Sequence, residues 1–251
     1  MSSATFAVVV PVYNEAAGMQ ATLDALASQS DGDFRLVIVD NGSTDASITI
    51  AERFAARAGV PPTRVVREPQ KGTGAAADTG CRVAIADGAT HLARTDADCI
   101  PHRDWVRHLK HAMLRDGAEF AAGRIKPRDD GRLTLRDRMV LPTMIWIAEN
   151  VGRLHRRGPQ FRYPYFMAAG NNLAITAELY LRSGGFPRSS IETLHEDRAL
   201  SEQVRTLTSR GVVCDAAIVY NSVRRVRAYG YLNTLRWYRN HGYKPDVVDI
   251  R

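Results

Sequence analysis

Hydrophobic positions in the first hundred residues fall in short unbroken runs separated by longer mixed stretches. The runs are "FAVVVPV" from Phe6, "FRLVIVD" from Phe34, "TRVVRE" from Thr63 and "THLARTD" from Thr90. Runs apolar at consecutive positions predict strands buried on both faces. The stretches between them carry helical spacing. Met19, Leu23 and Leu26 recur at that spacing between Ala16 and Gln29. Thr44 or Asp45 can cap a helix that sets Ile48, Ala51, Phe54 and Ala55 on one face, and Gly74 to Ala86 is an alanine-rich helix. Strands alternating with helices predict βαβ units and a parallel sheet, in which ligands sit beyond the carboxyl ends of the strands.

The second half is less regular. Trp105, His108, Leu109 and Ala112 suggest a helix, and "EFAAGRIKP" a strand. Met139 to Leu154 reads as helical around Pro142, and "FMAAGNNLAIT" as a turn followed by a short strand. Leu194 to Arg210 reads as a helix entered through "ETLHED". "VRAYGYLNTLRWYRNHGY" is basic and aromatic, with the look of an amphipathic helix. No repeat, low-complexity segment or linker interrupts the chain, which predicts one domain over residues 1–251.

Composition narrows the function classes. With 251 residues, 45% hydrophobic and 24% charged, the chain can bury a sizeable core, and wholesale disorder is excluded. Thirty-four Lys and Arg against 27 Asp and Glu give a net charge of +7, which favours anionic partners. Cys81, Cys99 and Cys214 are odd in number and widely spaced, which suits reduced thiols better than a zinc site or a disulfide framework. The start "MSSATFAVVVPVYNE" lacks the basic region and cleavage site of a signal peptide. The later run "MVLPTMIWIA" is half of the roughly 20 residues that span a bilayer. The expectation is a soluble, cytoplasmic protein, with peripheral contact at the membrane face left open.

The strand ends read "VPVYNE", "VIVDNGSTD", "REPQKGTG" and "RTDADC", all polar. Asp96 and Asp98 stand one residue apart where the fourth strand stops. Two carboxylates this close repel unless a cation lies between them or one is protonated. They suit a hard divalent ion with oxygen ligands and open positions, and equally a solvated acidic turn. Asp40 can serve capping alone, or accept a hydrogen bond from a base imide or a ribose hydroxyl. "QKGTGAAADTG" is not a Walker A loop, and it follows the wrong strand for a dinucleotide fingerprint. It reads as a glycine-rich helix entrance beside a nucleotide, with Lys71 able to meet phosphate.

"VVVPVYNE", "VIVDNGSTD", "DADC", "GNNLAI" and "HED" occur in the order found in glycosyltransferase family 2, and the chain resembles that family from about Phe6 to Arg205. The resemblance implies a GT-A fold: an α/β, Rossmann-like three-layer sandwich with a mostly parallel central sheet and helices on both faces. It implies a nucleotide-binding half over about residues 1–100, an acceptor-binding half over about 101–223 and a basic segment over about 224–251. Pro11, Tyr13 and Glu15 would border the nucleotide and Asp40 would meet the base. Asp96 would lie near ribose and metal, with Asp98 the direct ligand of Mn²⁺ or Mg²⁺ in a DXD motif. Asn171 and Asn172 would border the donor sugar and acceptor. Asp197 would be the catalytic base of an inverting, hexosyltransferase-type transfer; His195 and Glu196 compete for that role. His241 is a candidate third metal ligand. The donor would be a UDP- or GDP-type sugar and the acceptor a hydroxyl on a lipid-linked molecule or a glycan.

Two positions depart from the family pattern. "LRWYRNHG" lacks the glutamine of the Q-x-x-R-W box of processive members, which favours transfer of a single sugar. Asp78 stands where many members carry asparagine, so donor contacts there can differ. The basic C-terminal segment reads as a lid over the diphosphate, a membrane contact or a solvated helix. A nucleotidyltransferase would need a glycine-rich, basic loop after the first strand, and "PVYNEAAGM" offers one glycine and no base. A nucleic-acid binder is disfavoured because acidic strand ends repel phosphate.

Overall fold

A computed structural model describes residues 5–129, 133–155, 158–188 and 195–240. The four apolar runs form β1 (Phe6–Val12), β2 (Arg35–Asp40), β3 (Thr63–Arg67) and β4 (His91–Arg94), joined by α1 (Met19–Ala27), α2 (Ser47–Ala55) and α3 (Thr73–Ala86). All three pairings among these strands are parallel. Side chains of β1 alternate between two cores: Phe6, Val8, Val10 and Val12 pack with α1 and α2, and Ala7 and Val9 with α3. Helix α3 comes closest at Gly80, where a Cβ would lie 2.4 Å from Val9 Cγ1 and 2.8 Å from Val39 Cγ2. The glycine and alanines of α3 are therefore a consequence of close packing on the sheet.

The second half supplies β5 (Ile100–Pro101), α4 (Trp105–Lys110) running on into a π-helical turn (His111–Arg115), β6 (Phe120–Pro127) and α5 (Leu135–His155). It continues with β7 (Leu173–Thr176), α6 (Ala177–Arg182), α7 (Glu196–Leu207), β8 (Gly211–Asn221) and α8 (Arg224–Asn240). The eight strands make one sheet in the order β3-β2-β1-β4-β7-β6-β8-β5. Strand β7 is antiparallel to both β4 and β6, while β6 and β8 are parallel. Helices α1, α2 and α4 pack on one face and α3, α6 and α7 on the other, giving three layers. Among the described residues no helix is long and apolar enough to cross a membrane.

Three details differ from the sequence expectation. Strand β8 was not foreseen: its register slips between Gly123↔Cys214 and Arg124↔Ile218, and the bulge hides the apolar alternation. Helix α2 starts at Ser47 and its N-cap position is Ala46, so Asp45 caps it from one residue further back: its Oδ1 accepts from the Ser47 amide while its Oδ2 takes the Ala16 amide, and Thr44 is bonded to Asn14 instead. Helix α8 is broken at Gly230, whose φ of 73° is left-handed.

Candidate active site

The loops after β1 and β2 are laced together at the top of the sheet. The Ser43 and Ser47 hydroxyls accept from the amides of Asn14 and Glu15, and Asp45 accepts from Ala16. Asn14 answers by accepting from the Thr44 amide, and it takes the unusual φ of 50° to do so. Asp40, buried at the end of β2, accepts from the Ser43 amide and lines a cleft of about 250 Å³ with Gly42, Ser43, Ile48, Arg67 and Glu68. Lys71 stands over the Tyr13 ring at 3.9 Å and donates to the Gly42 carbonyl, at the same rim. Asn41 ties that rim to the loop after β3, donating to Glu68 and Gln70 and accepting from the Gly72 amide. Pro11 sits one step back, buried inside β1 opposite Val39, so it supports the cleft without facing it.

The end of β4 carries a charge cluster. Arg94 is 2% exposed, and its Nη2 donates to Asp96 at 3.2 Å and to Glu196 at 3.1 Å. Burial opposes its charge, but Asp96, Glu196 and Asp197 together hold its pKa above the ordinary value. Gly170 makes room for it: a Cβ there would lie 2.9 Å from the guanidinium. Arg94 was not among the residues singled out from sequence; its one signal is a charge inside an otherwise apolar strand run.

Glu196 is thereby a buried ion-pair partner, and Asp197 is the partly buried acid beside it. Asp197 accepts from the amides of Gly170 at 2.9 Å and Arg198 at 2.6 Å. Burial raises its pKa, against the pull of those amides and of Arg94. Asp96 is raised likewise by burial, with Arg94 pulling it back. The charges of Asp98, Asp96 and Asp197 act on one another in sequence, so the acids of β4 and the acid of α7 share one neighbourhood.

Two expected donor contacts change role. Asn172 is 0% exposed; it accepts from Trp105 Nε1 at 2.8 Å and donates to the carbonyls of Arg124 and Ala217. It clamps α4 to β6 and β8 and reaches no cleft. Asn171, also buried, donates to Cys99 Sγ, and that thiol donates in turn to Asp98 Oδ1. Asp78, the other departure noted in sequence, is turned inward: it accepts from the Tyr180 hydroxyl, Arg82 and Arg188. Gly74 serves packing, since a Cβ there would lie 2.2 Å from the Pro187 carbonyl oxygen and 3.1 Å from Glu196 Cβ.

Asp98 and Glu15 meet at the first turn of α8. Arg224 Nη2 donates to Asp98 Oδ2 at 2.9 Å and to Glu15 Oε2 at 2.9 Å. His241 and the C-terminal residues after Asn240 lie outside the described residues. Among the described residues no group of three or more His, Cys, Asp or Glu is gathered for a metal. Asp96 and Asp98 nevertheless fit one: both are half-exposed carboxylates, and Asp98 already has a cation against it. An oxygen-only donor pair with open positions suits Mn²⁺ or Mg²⁺.

The sequence profile of Glycosyl transferase family 2 matches residues 7–178, more than half of the chain. Glycosyltransferase AglE of Haloferax volcanii is 33% identical over 47% of this chain and 38% of its own length. The PGL/p-HBAD biosynthesis glycosyltransferase of Mycobacterium tuberculosis is 46% identical over 24% of this chain and 23% of its own length. The aligned part thus spans well under half of these curated relatives. Among solved structures, the mannosyltransferase PcManGT of Pyrobaculum calidifontis, in complex with GDP-Man and Mn²⁺, superimposes with a TM-score of 0.65 at 22% identity, over 95% of this chain and 65% of that one. S. aureus TarS with UDP-GlcNAc gives 0.62 at 16% identity, over 87% and 58%. With the ordered motifs at the strand ends and this profile match, the chain belongs to glycosyltransferase family 2.

Proposed function

We propose that the protein transfers one sugar, with inversion, from a UDP- or GDP-type sugar donor to an acceptor hydroxyl. The observation that carries this reading is the convergence of Asp96, Asp98 and Asp197 beyond the carboxyl end of the central strand β4, on the same side of the sheet as the cleft at Asp40. That structural neighbours hold GDP-Man with Mn²⁺, or UDP-GlcNAc, supports the donor class.

Asp40 accepts a hydrogen bond from the base or ribose, Tyr13 and Lys71 flank the nucleotide, and Glu15 stands with Asp98 at the diphosphate. Asp98 and Asp96 would hold Mn²⁺ or Mg²⁺, which when bound supplies charge stabilisation to the departing diphosphate. Asp197 takes the proton of the attacking hydroxyl as the new glycosidic bond forms on the face opposite the leaving group. General-base assistance of this kind contributes about 10²–10⁴-fold. Burial favours the neutral form of Asp197 and so strengthens it as a base, while the charge of Arg94 pulls towards the ionised form. Glu196, bound to Arg94, is not available for that role.

The acceptor is a hydroxyl on a glycan or a lipid-linked molecule, and the protein meets an anionic bilayer surface peripherally. Support for the last point is an exposed apolar stripe on α5, flanked by arginines. The test is Asp197→Asn: donor binding stays within about twofold and turnover falls by about a hundredfold or more. Turnover near the wild-type level would remove the base assignment. Asp98→Ala should abolish metal-dependent binding of UDP and GDP, read by calorimetry with Mn²⁺ and with EDTA.

A further inference from the structure

The two acids that face the diphosphate position are already neutralised by the chain itself. Arg224 Nη2 lies 3.0 Å and 2.9 Å from the two Glu15 oxygens and 2.9 Å from Asp98 Oδ2. Gly18 reports the same meeting from the other side, since a Cβ there would lie 3.6 Å from Glu15 Oε2 and 3.8 Å from Asp98 Cα. The arginine comes from the opposite end of the chain, on the first turn of α8, where Ser222 Oγ accepts from its Nε.

Three features argue against a simple structural strap. A guanidinium stays protonated throughout the working pH range, so this neutralisation ends only by displacement. Asp98 Oδ2 is an oxygen that a metal ion would also use, and two cations crowded against one oxygen repel, so guanidinium and ion compete there. Its side chain is also 32% exposed, so solvent and solutes reach it, and the left-handed break at Gly230 separates its turn from the rest of α8. A planar fork freed from a carboxylate is well matched to a phosphate.

We propose that Arg224 is the resident counter-cation of the donor site: it holds Asp98 and Glu15 in the donor-free protein, yields Asp98 to the divalent ion, and turns to the donor diphosphate. This rests on the metal-dependent donor reading above. It makes ion and arginine competitors before the donor arrives and allies afterwards. Arg224 is then a donor-binding residue whose contribution has opposite signs in the two steps.

The experiment measures Mn²⁺ alone, by the paramagnetic signal of the unbound ion, and then UDP and GDP at saturating Mn²⁺ by calorimetry. R224Q should bind Mn²⁺ about tenfold tighter than wild type without nucleotide, and nucleoside diphosphate about tenfold weaker with it. R224K, which keeps the charge and loses the fork, should fall between on both scales. A strap would move both affinities down or neither, and either result overturns the proposal. Should R224Q fail to fold, hydrogen exchange on wild type decides: Mn²⁺ loading should deprotect the amides of residues 224–229, and unchanged protection overturns it. Wild-type protein that binds neither Mn²⁺ nor a nucleoside diphosphate overturns both this and the functional reading. Wild type that binds both, with R224Q indifferent, overturns this alone.

Discussion

Arg94 is one buried cation facing three acids, and its removal should be felt twice. Replacing it with Gln leaves Glu196 buried without a partner, which costs about 3–5 kcal/mol by analogy with broken buried pairs; chemical denaturation measures this. It also removes the pull that lowers Asp197. The raised Asp197 pKa means the folded state holds that proton longer, so its stability contribution is greatest at low pH and is lost as pH climbs past the ordinary 3.8. For turnover by the proposed base the sign reverses, because Asp197 must be ionised to take a proton: the acid limb of kcat/KM should lie above 3.8, and Arg94→Gln should move it further up. At this scale the sequence discloses what is short-range. Asp40, Asp96, Asp98 and Asp197 end or begin elements, and their motifs name them. Arg94 and Arg224 acquire their partners from residues 102 and 209 positions away, which no local pattern encodes. Asn172 was misread for the same reason: its three partners come from α4, β6 and β8.

Helix α5 is amphipathic in an unusual sense, since its apolar stripe faces outward. Leu135, Met139 and Trp146 are 82%, 73% and 64% exposed, and with Pro142 they recur at i, i+4, i+7 and i+11. Leu141 turns inward instead, and exposed Arg136 and Arg138 flank the stripe. An apolar ridge between arginines matches the interface of an anionic bilayer. The doubly substituted M139S/W146S protein should lose about tenfold or more of its binding to phosphatidylglycerol-containing vesicles. Pure phosphatidylcholine should bind weakly from the start, and donor affinity should not change. Equal sedimentation of both proteins would reject the membrane contact. The helix itself was legible from its spacing, although it begins at Leu135 and not Met139. Strand β8 was not, because the residues between Cys214 and Ile218 leave the ladder and shift the alternation that marks a strand.

Across the whole molecule, donor and ion should act on stability together. At a hundredfold excess over Kd a ligand adds about 2.7 kcal/mol, which for a domain of this size raises the melting temperature by roughly 5–10 °C. UDP or GDP with Mn²⁺ should give such a shift, EDTA should abolish it, and a flat result with every sugar nucleotide would count against the donor reading. The order of strands adds a genetic consequence. Strand β8, close to the end of the chain, lies between β6 and β5, and β5 follows directly on the loop that bears Asp96 and Asp98. A premature stop codon anywhere between residues 179 and 210 would spare every position matched by the family profile, yet leave Ile100 and Pro101 with no strand to hold them. The message would still spell the acid pair, and the product would have nowhere to anchor it.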